Sequence, residues 1–177
     1  MNADNIEFRY SIPGAGQGDL LGQGDPNDSL GGYMAVTELP SNVVHALFDA
    51  VTPSENNAHK VEYRCLFVTN THPTDTWYSA KLWLSNEVVG GADLFVGLDA
   101  AGIVQGDAVT AQAFEATNEE DVPVGVVFTQ PTTSSRLSVG SIGAGEAVAI
   151  WLRREALGGA PKHLDGATIQ FSGEISG

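Results

Sequence analysis

One cysteine, Cys65, stands in 177 residues, so no intramolecular disulfide can brace the fold. Cations are scarce: three lysines and five arginines face 22 acidic side chains, for a formal net charge of −14. A polyanion of that strength is repelled by nucleic-acid phosphate and by anionic lipid, which argues against nucleic acid and membrane as partners. No stretch approaches 18 consecutive apolar residues and no basic start leads into an apolar run, so neither a spanning helix nor a secretory signal is expected. The four histidines, His45, His59, His72 and His163, fall at no spacing that pairs them as metal ligands. Helical periodicity is weak throughout. A chain of this length still buries about two thirds of the surface its unfolded form exposes, so one domain stands without disulfide or metal.

Glycine and short alternating stretches are what the sequence does have. Ile6, Phe8 and Tyr10 alternate with Glu7 and Arg9, a period of two that suits a half-buried strand. Pro13 then opens a stretch holding seven of the 21 glycines by residue 32, interrupted by Asp25-Pro26-Asn27-Asp28. So many glycines make regular structure costly, and residues 13–32 read as a long loop or arm that becomes ordered against a partner. Strands are expected at Val61–Thr69, Trp77–Leu84, Asp93–Leu98, Val109–Ala116, Pro123–Phe128, Glu146–Arg153 and Ala167–Ile175, each bounded by Gly, Pro, Asn or Asp. Residues 41–50 are ambiguous, with Ser41 or Asn42 as a helix cap. The expected fold is all-β, a β-sandwich or jelly-roll-like body over residues 33–177, preceded by an N-terminal strand and Gly-rich arm over residues 1–32.

Catalytic signals are sparse. Gly14-Ala15-Gly16-Gln17-Gly18-Asp19 resembles a phosphate loop, but no helix follows to aim its amides. Asp25, Asn27 and Asp28, or Glu119, Glu120 and Asp121, lack the alternating acidic loop with a distant glutamate that marks a calcium site, and read as solvated turns. No Gly-x-Ser-x-Gly elbow exists, and Gly140-Ser141-Ile142-Gly143 only comes near one. Cys65 sits on the parity of Tyr63 and Phe67 and reads as a core thiol. No catalytic, cofactor or metal residue is therefore assigned, and no enzymatic role is expected.

The residues that invite an interaction reading are aromatic and cationic. Trp83 and Trp151 lie on the parity opposite Leu82/Leu84 and Val148/Ile150/Leu152, so either a second layer covers them or they anchor an interface. Net charge is −6 over residues 1–60, −7 over 61–120 and −1 over 121–177, so the last third holds half of all cations: Arg136, Arg153, Arg154 and Lys162. Those four read either as ordinary surface charge or as a basic patch facing an acidic neighbour, such as Glu115, Glu119, Glu120 or Asp121 of another copy. Trp77, Tyr78, Trp83 or Trp151 would alternatively supply a sugar-stacking surface for a carbohydrate-binding β-sandwich.

Leu47-Phe48-Asp49-Ala50-Val51-Thr52-Pro53-Ser54-Glu55 and Glu62-Tyr63-Arg64-Cys65-Leu66-Phe67-Val68-Thr69-Asn70-Thr71, preceded by Gly31-Gly32-Tyr33 and Thr37-Glu38-Leu39, resemble virion structural proteins of tailed bacteriophages. The resemblance covers about residues 31–84, under a third of the chain, and carries no active-site positions. It implies a β-rich particle component, foremost a head decoration or cement protein assembled in the host cytoplasm, otherwise a neck or tail part. Its implied partners are the major capsid protein and other copies of the chain.

Overall fold

The computed structural model describes residues 5–14, 26–43, 45–88, 91–107, 112–160 and 166–175. Lys162, His163 and the glycine-rich residues 15–25 lie outside them, and with them the expectation that the middle of the arm becomes ordered against a partner. The described chain is all-β. Its elements run β1 (Ile6–Ile12), β2 (Gly31–Glu38), a short helix α1 (Pro53–Ala58), β3 (Val61–Asn70), β4 (Trp77–Ser85), β5 (Asp93–Gln105), β6 (Gln112–Glu115), β7 (Leu137–Ile142), β8 (Glu146–Glu155) and β9 (Thr168–Ile175). Every pairing is antiparallel: a six-stranded sheet in the order β5-β8-β3-β1-β2-β6 and a three-stranded sheet in the order β7-β4-β9.

Two cores follow from the alternation of β3 and β8. Leu66, Val68, Val148, Ile150 and Leu152 face the small sheet, where they meet Ala80, Leu82, Val139 and Ile142. The opposite parity, Tyr63, Cys65, Phe67, Ala147, Ala149 and Trp151, forms a second cluster with Met34 and Ala116. That cluster is enclosed because the large sheet curls. Its outermost strands in the pairing order, β5 and β6, come together, and the Phe114 amide on β6 donates to Asp99 Oδ2 on β5 at 3.0 Å. The result is a sandwich-like all-β body, as the sequence predicts, in which one sheet is nearly closed.

Several boundaries differ from expectation. The arm gives way to structure at Pro26–Asp28, a single 3₁₀ turn, and residue 32 falls inside β2. β1 pairs with β2 on one side and β3 on the other, so the segment before residue 32 and the body after it share one sheet. Gly31 is required by proximity: with φ +88°, a Cβ there would lie 1.8 Å from the Phe114 carbonyl oxygen. The described residues of 41–50 form no helix; Asn42 and His45 both take left-handed backbone, and α1 starts later, at a Thr52 cap with Pro53 in its first turn. Pro123–Phe128 is not a strand. Its turn passes Gly125 at φ +79° and only Thr129 bridges to Val96. β7 was not anticipated, and β5 runs on to Gln105 past a register shift after Leu98. Among the described residues no helix is long and apolar enough to cross a membrane.

Candidate functional site

The six residues singled out as interface candidates have different fates. Trp151 is 0% exposed. Its indole Nε1 donates to Asp99 Oδ2 at 2.8 Å, and its ring lies 6.2 Å from that of Phe114. Asp99, itself buried, also accepts from the Phe114 amide and, through Oδ1, from the Ala101 amide at 2.9 Å. A carboxylate with three donors at the seam between β5 and β6 is well satisfied despite its burial. The outward reading of Trp151 is thus corrected: the curl of the sheet supplies the covering layer, and the residue is interior.

Arg154 is interior as well. It faces Glu62 directly across the β3–β8 pair, donates from Nε to Glu62 Oε2 at 2.8 Å and makes a second close contact to the same oxygen through Nη2. Its guanidinium lies 4.8 Å from the centre of the Phe48 ring, and Nη1 donates to the Asp49 carbonyl. The pair belongs to a larger cluster. Lys60 Nζ lies 3.1 Å from Glu62 and 2.6 Å from Glu119, and fully buried Arg64 donates to Glu119 at 2.7 Å and Asn27 at 3.0 Å. The Glu119 hydrogen bond, opposed by partial burial, holds the Lys60 ammonium above its ordinary range. Burial pushes the Glu119 carboxyl up, but Lys60 and Arg64 together outweigh it and hold it below its usual value. The cluster ties the turn at 117–121 to β3; Arg154 and Glu119 are committed within the fold rather than offered to a neighbour.

Arg153 is half-buried, stacked 3.9 Å from the Phe95 ring centre and paired with Glu155 at 3.0 Å. Arg136 and Trp83 remain at the surface and meet: the guanidinium lies 4.1 Å over the indole, on the outer face of the small sheet. Neither residue's pattern alone indicates this contact, which needs the β4–β7 pairing. Of the other proposed stacking rings, Trp77 is buried and Tyr78 exposed.

A feature the sequence reading missed is the turn after the ion cluster. Val122, Val124 and Val127 are 62%, 68% and 76% exposed. The segment is nevertheless pinned. Thr129 exchanges backbone hydrogen bonds with Val96 at 2.8 and 3.0 Å, Phe128 packs 5.5 Å from Tyr63, and Pro123 is buried. The Val-Pro-Val-Gly-Val-Val run was the signal, but it reads equally as a strand.

The remaining candidates for chemistry are engaged or enclosed. An open groove of about 630 Å³ beside α1 is lined by Ser54, Glu55, His59, Lys60 and Glu120, yet Glu55 and Lys60 already bond to each other at 3.1 Å. Desolvation by complete burial pushes the Cys65 thiol well up, with Asp99 adding to it, which suppresses the thiolate. Among the described residues, no three His, Cys, Asp or Glu side chains come together as a metal-holding group. The chain matches no protein-family model, and no curated protein shows significant similarity to it.

Proposed function

We propose that the chain is a non-enzymatic structural component of a tailed-phage virion, most specifically a decoration or cement protein on the assembled head. The resemblance over residues 31–84 gives the reading its class, and the valine ledge at residues 122–127 carries it on the molecule. Monomeric proteins seldom expose several apolar side chains on one fixed turn unless a partner covers them. Because the ledge is already pinned to β5, docking it costs little ordering entropy. Three valines make a weak single contact, and many copies on a regular shell turn weak contacts into firm attachment through effective concentration. The major capsid protein is the partner this implies, with neighbouring copies beside it.

Mass spectrometry of purified virions from the encoding phage should find the chain at a copy number comparable with the capsid protein. Its absence there ends the reading, whereas a few copies localised by cryo-electron microscopy to the neck or tail would relocate the role. Replacing Val122, Val124 and Val127 by serine should lower binding to undecorated heads at least about tenfold, equivalent to about 1.4 kcal/mol. The isolated domain should melt unchanged.

A further inference from the structure

The pairing of the cations is uneven. Arg9 pairs with Glu7, Lys60 and Arg64 with Glu119, Arg153 with Glu155 and Arg154 with Glu62. Among the described residues, Lys81 and Arg136 are the cations without an ion-pair partner, in a chain of net charge −14. Both stand on the outer face of the β7-β4-β9 sheet. Lys81 is exposed and lies in register with Ser138 on β7 and Ser172 on β9; Trp83 lies in register with Gln170. Arg136 reaches over Trp83, donates from Nε to the Thr133 carbonyl at 3.1 Å and from Nη1 to Ser172 Oγ at 3.4 Å. Lys81 by strand register and Arg136 by its hydrogen bond thus both neighbour Ser172, and among the described residues no carboxylate is in ion-pair reach of either.

We propose that this face docks an acidic segment of another polypeptide. The stack on Trp83 and the bond to Thr133 fix the plane of the guanidinium, so a carboxylate meets a preoriented donor whose Nη2 has no partner among the described residues. Lys81 takes a second carboxylate of the same segment, and Ser138 and Gln170 offer polar groups to its backbone. Carbohydrate fits less well at Trp83, because the guanidinium already occupies a face of that ring. A nucleic acid or an anionic bilayer would set its extended charge against the whole acidic body. A short segment feels mainly the local cations, since charges beyond about 8 Å are screened at physiological salt. A second copy would bring another −14 to the contact. The inference goes beyond the virion reading and holds whichever assembly carries the partner.

The probe is a hexaglutamate peptide titrated into the intact protein and followed by ¹⁵N NMR at low and physiological salt, with hexaglutamine as control. Shifts should be confined to the Trp83 indole, the Arg136 Nε–H and the amides around Lys81 and Gln170. Binding should weaken at least about tenfold in the Lys81→Glu/Arg136→Glu double variant, and several-fold in Lys81→Gln/Arg136→Gln, which guards against misfolding of the first. Equal binding of hexaglutamine, unchanged binding in both variants, or shifts centred elsewhere would overturn the proposal. So would tighter binding of a heparin-derived hexasaccharide to the same resonances, or a sedimentation mass that rises with concentration and falls back in Arg136→Glu. None of these readouts uses a particle, so their failure is separate from absence of the chain from virions.

Discussion

Trp151 on β8 and Trp83 on β4 hold equivalent places in their strands, each on the parity opposite the residues that fill the space between the two sheets. One is fully buried with its indole nitrogen bonded to Asp99; the other lies at the surface beneath Arg136. The six-stranded sheet curls until β5 meets β6, so its second face becomes an interior. Among the described residues the three-stranded sheet has no strands beyond β7 and β9 to curl with, and its second face stays open. Alternation assigns residues to faces; sheet width and curl decide whether the second face is wet.

The sharpest break of this comparison is to truncate both rings. Trp151→Ala should destabilise the domain by about 3–5 kcal/mol, because it opens a cavity in the second core and removes one donor from Asp99. Trp83→Ala should cost about 1 kcal/mol, mostly lost stacking with Arg136. Urea unfolding of the two variants measures the gap. Equal losses would show that the small sheet's outer face is as enclosed as the interior of the curl.

The same contrast recurs among ion pairs. Glu62→Gln leaves Arg154 and Lys60 short of a buried counter-charge and should cost about 3 kcal/mol, since breaking a buried pair strands its partner. Glu155→Gln removes the partner of half-buried Arg153, where solvent reaches both groups, and should cost under about 1 kcal/mol. If the two variants unfold at the same urea concentration, the Glu62 cluster is solvated in spite of its geometry.

How far the sequence could be read follows from these particulars. β1, β3, β4 and β8 were legible because branched and aromatic residues alternate over seven or more positions. β2 was hidden behind Gly31 and Gly32, where glycine signals flexibility by composition but serves here to let the Phe114 carbonyl approach Gly31 and the Ile12 carbonyl approach Gly32. The valine ledge reads as a strand because valine favours sheets; Gly125 at positive φ turns it. Glu62 and Arg154 were visible as strand residues, but their pairing depends on the β3–β8 register, which no local pattern states. Trp83 and Arg136 were likewise singled out separately, and only the sheet joins them.

The most local effect lies at α1, a single helical stretch outside both cores. Thr52 and Glu55 form a reciprocal cap there: Thr52 Oγ1 accepts from the Glu55 amide at 3.3 Å, and Glu55 Oε2 accepts from the Thr52 amide at 2.7 Å. The Thr52 backbone bond, then the Thr52 and Lys60 side chains, lower the Glu55 carboxyl from an ordinary 4.5 to about 2. A carboxyl whose folded value lies below its unfolded one stabilises fully above the unfolded value and loses that contribution as pH falls through the folded value. The cap should therefore weaken between about pH 4.5 and about pH 2. Thr52 and Glu55 amide protection and shifts would follow the titration, while the Trp151 indole stays fixed until the domain unfolds as a whole. Thr52→Ala should loosen α1 by about 1 kcal/mol already at neutral pH and flatten that titration. Should the Trp151 indole move in step with the Thr52 amide, α1 and the curled sheet would be one cooperative unit, and the division between a peripheral cap and an enclosed core would fall.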